Sequence, residues 1–347
     1  MSKISEPRHF SHRLRDTNSA FLPARHSSDQ PIKVGFVLQP HFSMMAFTAA
    51  VDALVTANLV QAAPLFSFTT YGLQSTQVQS DVGIDISANR ILGEVMLEGE
   101  GALDILIVCG GFRCSLSEYP PLSQLLKAAA KRQKILGGLW NGAVPLAWAG
   151  VLDGLGCALH PDNHAFLQEG FARVQVSPHT MLVEARILTS AGPNSALEMM
   201  LALIQRLHGA DTVRAIREIL SSDRIIDDGY RSSSLAENDP TIPDALRTLL
   251  RLMSSNIEEP LGIEELADYV DLSRRHIERL FQTHLETTPS RYYLELRITH
   301  ARRLLLQSSA SVSNIAVACG FVSSTHFSHC FKEFFGVSPS QARLKRG

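Results

Sequence analysis

A cluster of charged side chains opens one helical segment near the carboxyl terminus. The apolar residues of this segment recur at helical spacing and mark the face that packs in a core. The outward positions of its first turns are Arg274, Arg275, Glu278 and Arg279. Guanidinium groups suit phosphates and the acceptor edge of guanine, so these positions predict contact with DNA. His276 stands beside them and is either a further contact or an ordinary surface histidine.

The segment belongs to a unit that occurs twice. The apolar stripe of the preceding helix recurs 49 residues later, and from the turn onward the offset is 50, so that Ser273 maps onto Ser323. Each copy is a short helix, a tight turn and a second helix that begins at a serine N-cap, which predicts two helix-turn-helix units in tandem. Between them Pro289 opens a longer helix to about Gln307. This helix would hold the units at a fixed separation. If the units enter successive major grooves on one face of DNA, that separation should be about 34 Å, one helical turn.

The second copy presents smaller polar side chains than the first. Where the first copy has arginines, the second has hydroxyl and imidazole groups. Serine and threonine hydroxyls hydrogen-bond to bases as well as to phosphates. The full set of predicted DNA-contacting residues is Arg274, Arg275, His276, Arg279, Ser323, Ser324, Thr325, His326, His329 and Lys332.

A second group of candidate residues surrounds the stretch Gly138-Leu139-Trp140-Asn141-Gly142, which follows a predicted strand and precedes a predicted helix. Its glycines permit a strained strand-to-helix turn that exposes the central side chain, the shape of a nucleophile elbow. The exposed position here is Trp140, and an indole is no nucleophile at neutral pH. The stretch therefore predicts a ligand pocket at the carboxyl ends of the strands. The alternative is that Trp140 packs in the core.

The residues predicted to bind a ligand in this pocket are Asp52, Gly110, Gly111, Trp140, Asn141 and His160. An unpartnered carboxylate is costly in an apolar helix, so Asp52 is expected to meet a donor or a ligand. Together with the indole it would suit a cationic amine or a quaternary ammonium group. Gly110-Gly111 either offers backbone N–H groups to an anion or only makes a turn, and His160 is either a ligand contact or a loop histidine. No metal site and no cofactor are expected.

Strand-like and helical segments alternate through the first two thirds of the chain, from a β-rich run at 32–38 to a closing helix at about 195–208. This alternation predicts an α/β domain with a mostly parallel sheet. Serine, aspartate and proline then dominate a stretch that reads as a linker, and everything after it is helical. The predicted organisation is a flexible arm at 1–31, an α/β domain at 32–220, a linker at 221–243 and an all-α domain at 244–347.

The amino-acid composition excludes several classes of protein. The 347 residues are 45% apolar and 19% charged, which suits folded domains and excludes wholesale disorder. Five scattered cysteines without a C-x-x-C pair exclude a disulfide framework and a zinc module, and they favour a reducing cytoplasm. No apolar run has the character of a secretory signal or a membrane span.

The charge is unevenly distributed along the chain. The formal net charge of −2 argues at first against a nucleic-acid binder. Residues 272–347, however, hold eleven Lys and Arg against four Asp and Glu, a net of +7, which leaves −9 for residues 1–271. The sequence therefore predicts a basic DNA-reading domain joined to an acidic one, whose repulsion by phosphates restrains non-specific binding.

Residues 241–347 resemble the DNA-binding domain of the AraC/XylS family of bacterial transcription regulators. The features that carry the resemblance include Ser273-x-Arg275-x-Ile277-x-Arg279-Leu280-Phe281, Leu296-Arg297-x-x-x-Ala301, Cys319-Gly320-Phe321 and Gly336-x-Ser338-Pro339. The resemblance implies binding to promoter DNA and the recruitment or positioning of RNA polymerase.

Residues 32–220 resemble, more loosely, the PfpI/ThiJ glutamine-amidotransferase-like superfamily, which implies a flavodoxin-like fold. The features are Val51-Asp52-Ala53-Leu54, Gly110-Gly111, the run Ala147 to Gly154, and His160. In the enzymes of that superfamily the elbow holds a cysteine, partnered by a histidine and an acidic residue. Trp140 replaces that cysteine here, which puts hydrolase activity in doubt. The whole chain is similar to the GlxA-type regulators of the AraC family.

We therefore expect a cytoplasmic, ligand-responsive and sequence-specific transcriptional regulator, an activator of a metabolic operon, that works as a homodimer. Its expected partners are promoter DNA, RNA polymerase and a small-molecule effector, and no membrane. The α/β domain would sense an amine, an amino acid or a quaternary ammonium compound without catalysis. Two alternatives stay open: a PfpI-like hydrolase with a relocated nucleophile such as Cys114, and an α/β domain that serves only to dimerise the chain.

Overall fold

The computed structural model describes residues 8–11, 14, 18, 21, 30–61, 63–220 and 242–344. The chain divides into two compact units. The α/β unit comprises His26–Asn58 and Ala63–Val213, and the helical unit comprises Met1–Arg25, Leu59–Ala62 and Arg214–Gly347. The predicted linker at 221–243 lies, up to residue 241, outside the described residues.

The described α/β unit contains eleven strands. In chain order they are β1 (Ile32–Leu38), β2 (Phe66–Gly72), β3 (Gln77–Gln79), β4 (Asp85–Ser87), β5 (Arg90–Ile91), β6 (Ile105–Cys109), β7 (Ile135–Leu139), β8 (Gly156–Cys157), β9 (Gln175–Val176), β10 (Met181–Val183) and β11 (Ile187–Ser190). Seven of them form one sheet in the order β10-β11-β7-β6-β1-β2-β5. All neighbours in this sheet are parallel except β10 and β11, which confirms the predicted α/β class. Two further strand pairs, β3 with β4 and β8 with β9, lie outside the sheet.

Helices connect the strands, as the alternating pattern predicts. Helix α1 begins after Ser43, whose Oγ accepts the Ala46 N–H at 3.3 Å, and its alanines pack inward because their small side chains let the helix approach the sheet. The described helices up to residue 220 are α1 (Met44–Leu59), α2 (Pro120–Lys131), α3 (Ala143–Trp148), α4 (His164–Gly170), α5 (Pro193–His208) and α6 (Ala210–Leu220). The sequence analysis did not anticipate α6, whose boundary with α5 is the left-handed Gly209.

Four neighbouring strands end at one edge of the sheet. Leu38 pairs with Cys109, Cys109 with Leu139, and Leu139 with Ser190, so β1, β6, β7 and β11 finish in line. All five residues of β6 are buried, as expected for a parallel strand covered on both faces. The segments that follow these strands therefore meet at a common edge, which is where α/β sheets bind ligands.

The helical unit contains the predicted tandem arrangement. From residue 242 onward its described helices are α7 (Asp244–Ser255), α8 (Ile263–Val270), α9 (Arg274–Leu285), α10 (Pro289–Gln307), α11 (Val312–Ala318), α12 (Ser324–Phe335) and α13 (Pro339–Leu344). Two helix-turn-helix units, α8–α9 and α11–α12, flank the long helix α10, whose bounds match the prediction. Their turns contain left-handed residues, Asp271 in the first and Gly320 in the second.

Amino-terminal residues complete the core of the helical unit, which the prediction of a flexible arm at 1–31 did not anticipate. Phe10 is buried, with its ring centroid 4.6 Å from that of Phe334 and 5.4 Å from that of Phe335. The backbone N–H and the hydroxyl of Ser11 both donate to the buried carboxylate of Glu295, at 3.0 and 2.5 Å. The polar composition of residues 1–31 gave no indication of these contacts, because they involve a few residues that follow neither a helical nor a strand period.

Candidate functional site

The second helix of each helix-turn-helix unit begins at the predicted serine. The Oγ of Ser273 accepts the His276 N–H at 3.3 Å, and the Oγ of Ser323 accepts the His326 N–H at 3.3 Å. Each bond satisfies one of the unpaired N–H groups of a helix N-terminus. Helices α9 and α12 therefore begin with the same type of capping bond. The hydroxyl of Ser323, a predicted DNA contact, makes this bond within the protein.

The exposed arginines of α9 differ in their local partners. Arg274 pairs with Glu278 at 3.0 Å and lies 3.7 Å from Glu264, and the hydrogen bond and charge of Glu278 raise the pKa of its guanidinium group. Arg279 contacts the ring of His276 at 3.4 Å. Within the described residues Arg275 makes no ion pair. Arg275 and Arg279 therefore present positive charge that no nearby carboxylate offsets, while the charge of Arg274 is largely compensated.

Helix α12 presents a different surface. The predicted contact residues Ser324, Thr325, His326, His329 and Lys332 are all exposed. The Nε2 atom of His329 lies 3.3 Å from a carboxylate oxygen of Glu333, and the Nε2 atom of His326 lies 3.3 Å from the Sγ atom of Cys330. The first turn of α12 therefore presents the hydroxyls of Ser324 and Thr325 to solvent. Lys332 lies further along the same helix and is also exposed.

Arg297 of α10 holds the turn of the second unit in place. Its Nε and Nη2 atoms donate to the carbonyl oxygens of Cys319 and Gly320, each at 2.7 Å, and its guanidinium carbon lies 4.2 Å from the ring centroid of Phe321. Burial lowers the pKa of this guanidinium group. Sequence analysis named Arg297 only as part of the family resemblance, because its partners are backbone carbonyls that no motif identifies.

The elbow has the strained geometry that its glycines predicted. Strand β7 ends at Leu139, and Trp140 adopts φ +54°, a left-handed conformation that costs a bulky residue about 1–3 kcal/mol. The turn packs directly on its neighbours: a Cβ atom at Gly142 would lie 2.0 Å from the Val108 carbonyl oxygen, and one at Gly110 would lie 2.2 Å from the Gly142 nitrogen. Backbone strain of this kind persists where the surrounding structure enforces it, often at binding sites.

Trp140 and His160 form a stacked pair. Their ring centroids are 5.4 Å apart with an interplanar angle of 17°, and the ring of Phe112 meets His160 edge-on at 6.5 Å. The Nδ1 atom of His160 also lies 3.5 Å from a carboxylate oxygen of Asp162. Phe112 is 62% exposed, so this aromatic cluster (Trp140, His160 and Phe112) reaches the surface. Sequence analysis missed Phe112, which its position directly after Gly110-Gly111 could have indicated.

The polar groups of Asn141 and Gly110 are used within the protein. Asn141 donates from Nδ2 to the Gly111 carbonyl at 3.1 Å and accepts from Asn163 Nδ2 at 2.7 Å. The Gly110 N–H donates to the Leu139 carbonyl at 3.0 Å, and the Gly110 carbonyl accepts from the Ser43 N–H. The structure therefore favours the turn-forming interpretation of Gly110 over an anion-binding one. Asn141 links the elbow to the segments that contain Gly111 and Asn163.

Asp52 lies away from the place that the sequence analysis expected. It is exposed on α1 and lines a shallow surface hollow with Met45, Thr48 and Val55. No hydrogen bond or ion pair joins it to another described residue. The helical period explains this outcome, because Ala46, Ala50, Ala53 and Leu54 form the buried face of α1 and Asp52 falls on the other face.

Two buried donors at the sheet edge lack hydrogen-bond partners among the described residues. They are the Nε2 atom of Gln39, the residue directly after β1, and the Nε1 atom of Trp140, the residue directly after β7. Gln39 is only 6% exposed. Sequence analysis missed Gln39, although its place after the first strand is equivalent to that of Trp140. Buried polar groups are nearly always paired, so both atoms mark a place where a partner belongs.

The five cysteines are all buried and form no disulfide with one another. Burial raises the pKa of Cys114 to about 12, and its Sγ atom donates to the Pro40 carbonyl at 3.2 Å. Burial, with a smaller contribution from Cys114, raises the pKa of Cys109 well above its ordinary value. Neither thiol has the exposure or the lowered pKa of a nucleophilic cysteine.

Two kinds of feature are absent from the described ranges. No helix there is long and apolar enough to cross a membrane. No three His, Cys, Asp or Glu side chains of these same ranges are grouped as metal ligands would be.

Comparison with known proteins relates both units to families. Residues 32–206 match the DJ-1/PfpI family, and residues 266–345 match a helix-turn-helix domain family. The crystal structure of an AraC family transcriptional regulator from Pseudomonas putida superposes with a TM-score of 0.51 and is 42% identical, covering 55% of this chain and 100% of that one.

Several relatives match this chain across both units. The transcriptional regulator GbdR of Pseudomonas aeruginosa is 37% identical over 90% of this chain and 84% of its own. The regulator ArgR of the same species is 33% identical, covering 91% of this chain and 94% of its own, and GlxA of Rhizobium meliloti is 30% identical, covering 91% and 96%. These matches agree with the tandem helix-turn-helix units and the α/β sheet. The chain belongs to the AraC-type helix-turn-helix transcriptional regulators that carry an amino-terminal DJ-1/PfpI domain.

Proposed function

We propose that this regulator binds promoter DNA sequence-specifically and responds to a small-molecule effector that binds its α/β unit without being turned over. The observation that carries the effector half of the proposal is the elbow, where a strained tryptophan stacked on His160 occupies the position of a nucleophile. Backbone strain at an aromatic cluster that reaches the surface supports a binding role, because strained residues cluster at ligand sites.

The DNA half of the proposal rests on the two capped helices. Arg275 and Arg279 supply positive charge for phosphates or guanine edges, and Ser324 and Thr325 supply hydroxyls for bases. The other predicted DNA-contacting residues, including Ser323, would contact the sugar-phosphate backbone of the DNA around these groups. We assign the protein an activating role on a metabolic operon, with RNA polymerase as its partner at the promoter, following its family resemblance.

The effector proposed here is an amine, an amino acid or a quaternary ammonium compound. The faces of Trp140 and Phe112 suit a cation, since an aromatic face attracts positive charge. Asp52 does not supply the negative partner that the sequence suggested, because it lies exposed on α1. In this proposal the aromatic cluster therefore binds the cationic part of the effector without help from Asp52.

The protein would act as a homodimer in the cytoplasm, where promoter DNA lies. A dimer presents two copies of the tandem units to a repeated site, and the effector would shift the population between dimer arrangements that present them differently. Size-exclusion chromatography with light scattering, with and without effector, measures this state directly.

A thermal-shift screen followed by DNA binding tests the effector role. The full chain is screened against amines, amino acids and quaternary ammonium compounds, and DNA affinity for a fragment selected from a random-sequence library is measured with the hit present. Trp140→Ala is expected to abolish the response to the hit and to leave ligand-free DNA binding unchanged. A hit that acts equally on Trp140→Ala would contradict the role of the elbow. A screen without any hit would favour an α/β unit that only dimerises the chain.

Cysteine reactivity tests the rival hypothesis of a relocated nucleophile. Because burial raises the pKa of Cys114 to about 12, this group remains a thiol at pH 8. Alkylation by iodoacetamide should therefore be slow at pH 8, rise as the pH approaches 12, and become fast at pH 8 once urea unfolds the chain. Rapid labelling of Cys114 in the folded protein at pH 7, together with turnover of an amide substrate, would restore the hydrolase hypothesis.

A further inference from the structure

The turns of the two helix-turn-helix units differ in length by one residue. The offset between the copies is 49 residues up to the turn and 50 residues after it, so the second turn contains one additional residue. In the first turn the Leu272 N–H donates to the Ala267 carbonyl at 3.1 Å. In the second turn the Phe321 N–H donates to the Ala316 carbonyl at 2.9 Å. Leu272 and Phe321 are therefore equivalent, at an offset that is still 49.

The additional residue is Val322. In the first unit Leu272 is followed directly by Ser273, the cap of α9. In the second unit Val322 stands between Phe321 and Ser323, the cap of α12. Both caps accept the N–H of the residue three positions further on, at the same distance of 3.3 Å. The insertion therefore lengthens the turn and leaves the capping bond of the second helix unchanged.

The side chain of Val322 is fully exposed, whereas the residue before it is packed. Phe321 is 3% exposed, with its ring centroid 5.2 Å from that of Phe327. Its equivalent Leu272 also packs against the core of the helical unit. Val322 has the highest exposed fraction among the large apolar side chains of the described residues. The insertion therefore adds nothing to the core and presents an apolar group to solvent.

This apolar group lies next to the part of α12 that is predicted to contact bases. Val322 directly precedes the cap, and Ser324 and Thr325 of the first turn are exposed beside it. In helix-turn-helix proteins the N-terminal residues of the second helix contact base edges in the major groove. The apolar group that base pairs present in this groove is the C5-methyl group of thymine. A valine has few rotamers to lose when it makes such a contact.

We infer that Val322 contacts the C5-methyl group of a thymine in the major groove and thereby sets a base preference of the second unit. The inference rests on the proposed DNA-binding function and adds an apolar contact to the hydrogen bonds of Ser324 and Thr325. The first turn has no residue at the inserted position, so this contact distinguishes the second unit from the first. Two apolar groups that exclude water attract each other without charge.

Replacement of thymine by uracil tests the contact, because uracil keeps the base pairing of thymine and lacks only the C5-methyl group. A DNA fragment selected by the full-length protein from a random-sequence library is synthesised in versions that each carry uracil in place of one thymine. Fluorescence anisotropy measures the affinity of the wild-type protein and of Val322→Ser for every version. At one thymine or more, uracil should weaken the wild-type protein about four-fold, the value of one buried methyl group. The same replacement should leave Val322→Ser within 1.5-fold, roughly the scatter expected of independent contacts.

Two further variants serve as controls. Val322→Ile keeps an apolar, β-branched side chain and should retain the sensitivity to uracil. Val82→Ser makes the same chemical change at a valine of the α/β unit that is 64% exposed, and it should also retain the sensitivity. Because the Val322 side chain is fully exposed, Val322→Ser should keep the melting temperature of the wild-type protein. A loss of sensitivity in this variant is then a loss of the contact and not of the fold.

The outcomes separate the inference from the function it rests on. If no thymine distinguishes the wild-type protein from Val322→Ser, the valine contact is overturned and DNA binding stands. A Val322→Ser protein that keeps the uracil sensitivity but activates transcription less in a purified system with RNA polymerase would assign the valine to a protein partner, which also overturns the inference. If the wild-type protein selects no DNA fragment, the proposed DNA-binding function is overturned, and the valine contact with it.

Discussion

The two helix-turn-helix units share one architecture and differ in the chemistry of their exposed faces. Both second helices begin at a serine cap with the same 3.3 Å hydrogen bond. The first presents Arg275 and Arg279 without carboxylate partners among the described residues, and the second presents Ser324 and Thr325. Equivalent backbones thus carry a cationic surface in one unit and a hydroxyl surface in the other.

This difference implies a division of labour on DNA. Cations neutralise phosphates and give an affinity that falls steeply with salt, whereas hydroxyls contribute hydrogen bonds that depend little on salt. We therefore expect the first unit to supply most of the electrostatic affinity and the second to contribute to sequence preference. Arg297 of α10 contributes to the position of the second unit, because it donates to two carbonyl oxygens of the turn in that unit.

The largest expected effect is on the stability of the second unit. Arg297→Met removes two hydrogen bonds to backbone carbonyls and the contact with Phe321, and should lower the free energy of unfolding by about 3 kcal/mol. Both tryptophans, Trp140 and Trp148, belong to the α/β unit. Urea unfolding followed by circular dichroism at 222 nm should therefore shift, while tryptophan fluorescence reports the α/β unit.

The exposed Arg251 of α7 provides the matched control for this substitution. Arg251→Met should change the unfolding free energy by less than about 0.5 kcal/mol. An Arg297→Met protein as stable as the Arg251→Met protein would show that the turn of the second unit holds its position without the guanidinium group.

The next largest effect concerns the arginines of the first unit. Arg275→Ala or Arg279→Ala should each weaken binding to a selected DNA fragment by about 2 kcal/mol, roughly 30-fold, since a bidentate base or phosphate contact contributes about 1–3 kcal/mol. Arg274→Ala should have a smaller effect, because Glu278 and Glu264 already offset its charge. Fluorescence anisotropy titrations measure all three, and an equal loss in Arg274→Ala would contradict the distinction drawn from the ion pairs.

The smallest effect tests the shared part of the two units. Ser273→Ala and Ser323→Ala each remove one N-cap bond and should each lower stability by about 1 kcal/mol. Urea unfolding followed by circular dichroism measures both. Unequal losses would mean that the two caps are equivalent in geometry but not in energy.

The helical unit was predictable because its signals are local and periodic. The apolar stripes, the serine caps and Pro289 each act within one or two turns, so the bounds of α10 and the tandem units follow from sequence spacing. The contacts of Phe10 and of Arg297 were not predictable in this way. They join residues far apart in the chain, and in the case of Arg297 the partners are carbonyl groups that every residue has.

The elbow region was predictable in part. The glycine spacing indicated a strained turn at Trp140, and the structure has a positive φ there. Asp52 was expected near the pocket because it lies in an apolar helix, but its position on the helical period places it at the surface. The buried, unpaired amide of Gln39 was missed because its surroundings depend on strand order, which sets β1 and β7 on either side of β6. Strand order is a non-local property that single-sequence patterns do not contain.

The salt dependence of DNA binding tests the division of labour most directly. The slope of log affinity against log salt is measured for the wild-type protein, for Arg275→Ala/Arg279→Ala and for Ser324→Ala/Thr325→Ala on one selected fragment. The arginine variant should lose about 0.9 in slope for each phosphate contact removed, close to two in total if both arginines bind phosphates. The hydroxyl variant should keep the wild-type slope and show weaker discrimination between the selected fragment and a scrambled one. Equal changes of slope in the two variants would contradict the account.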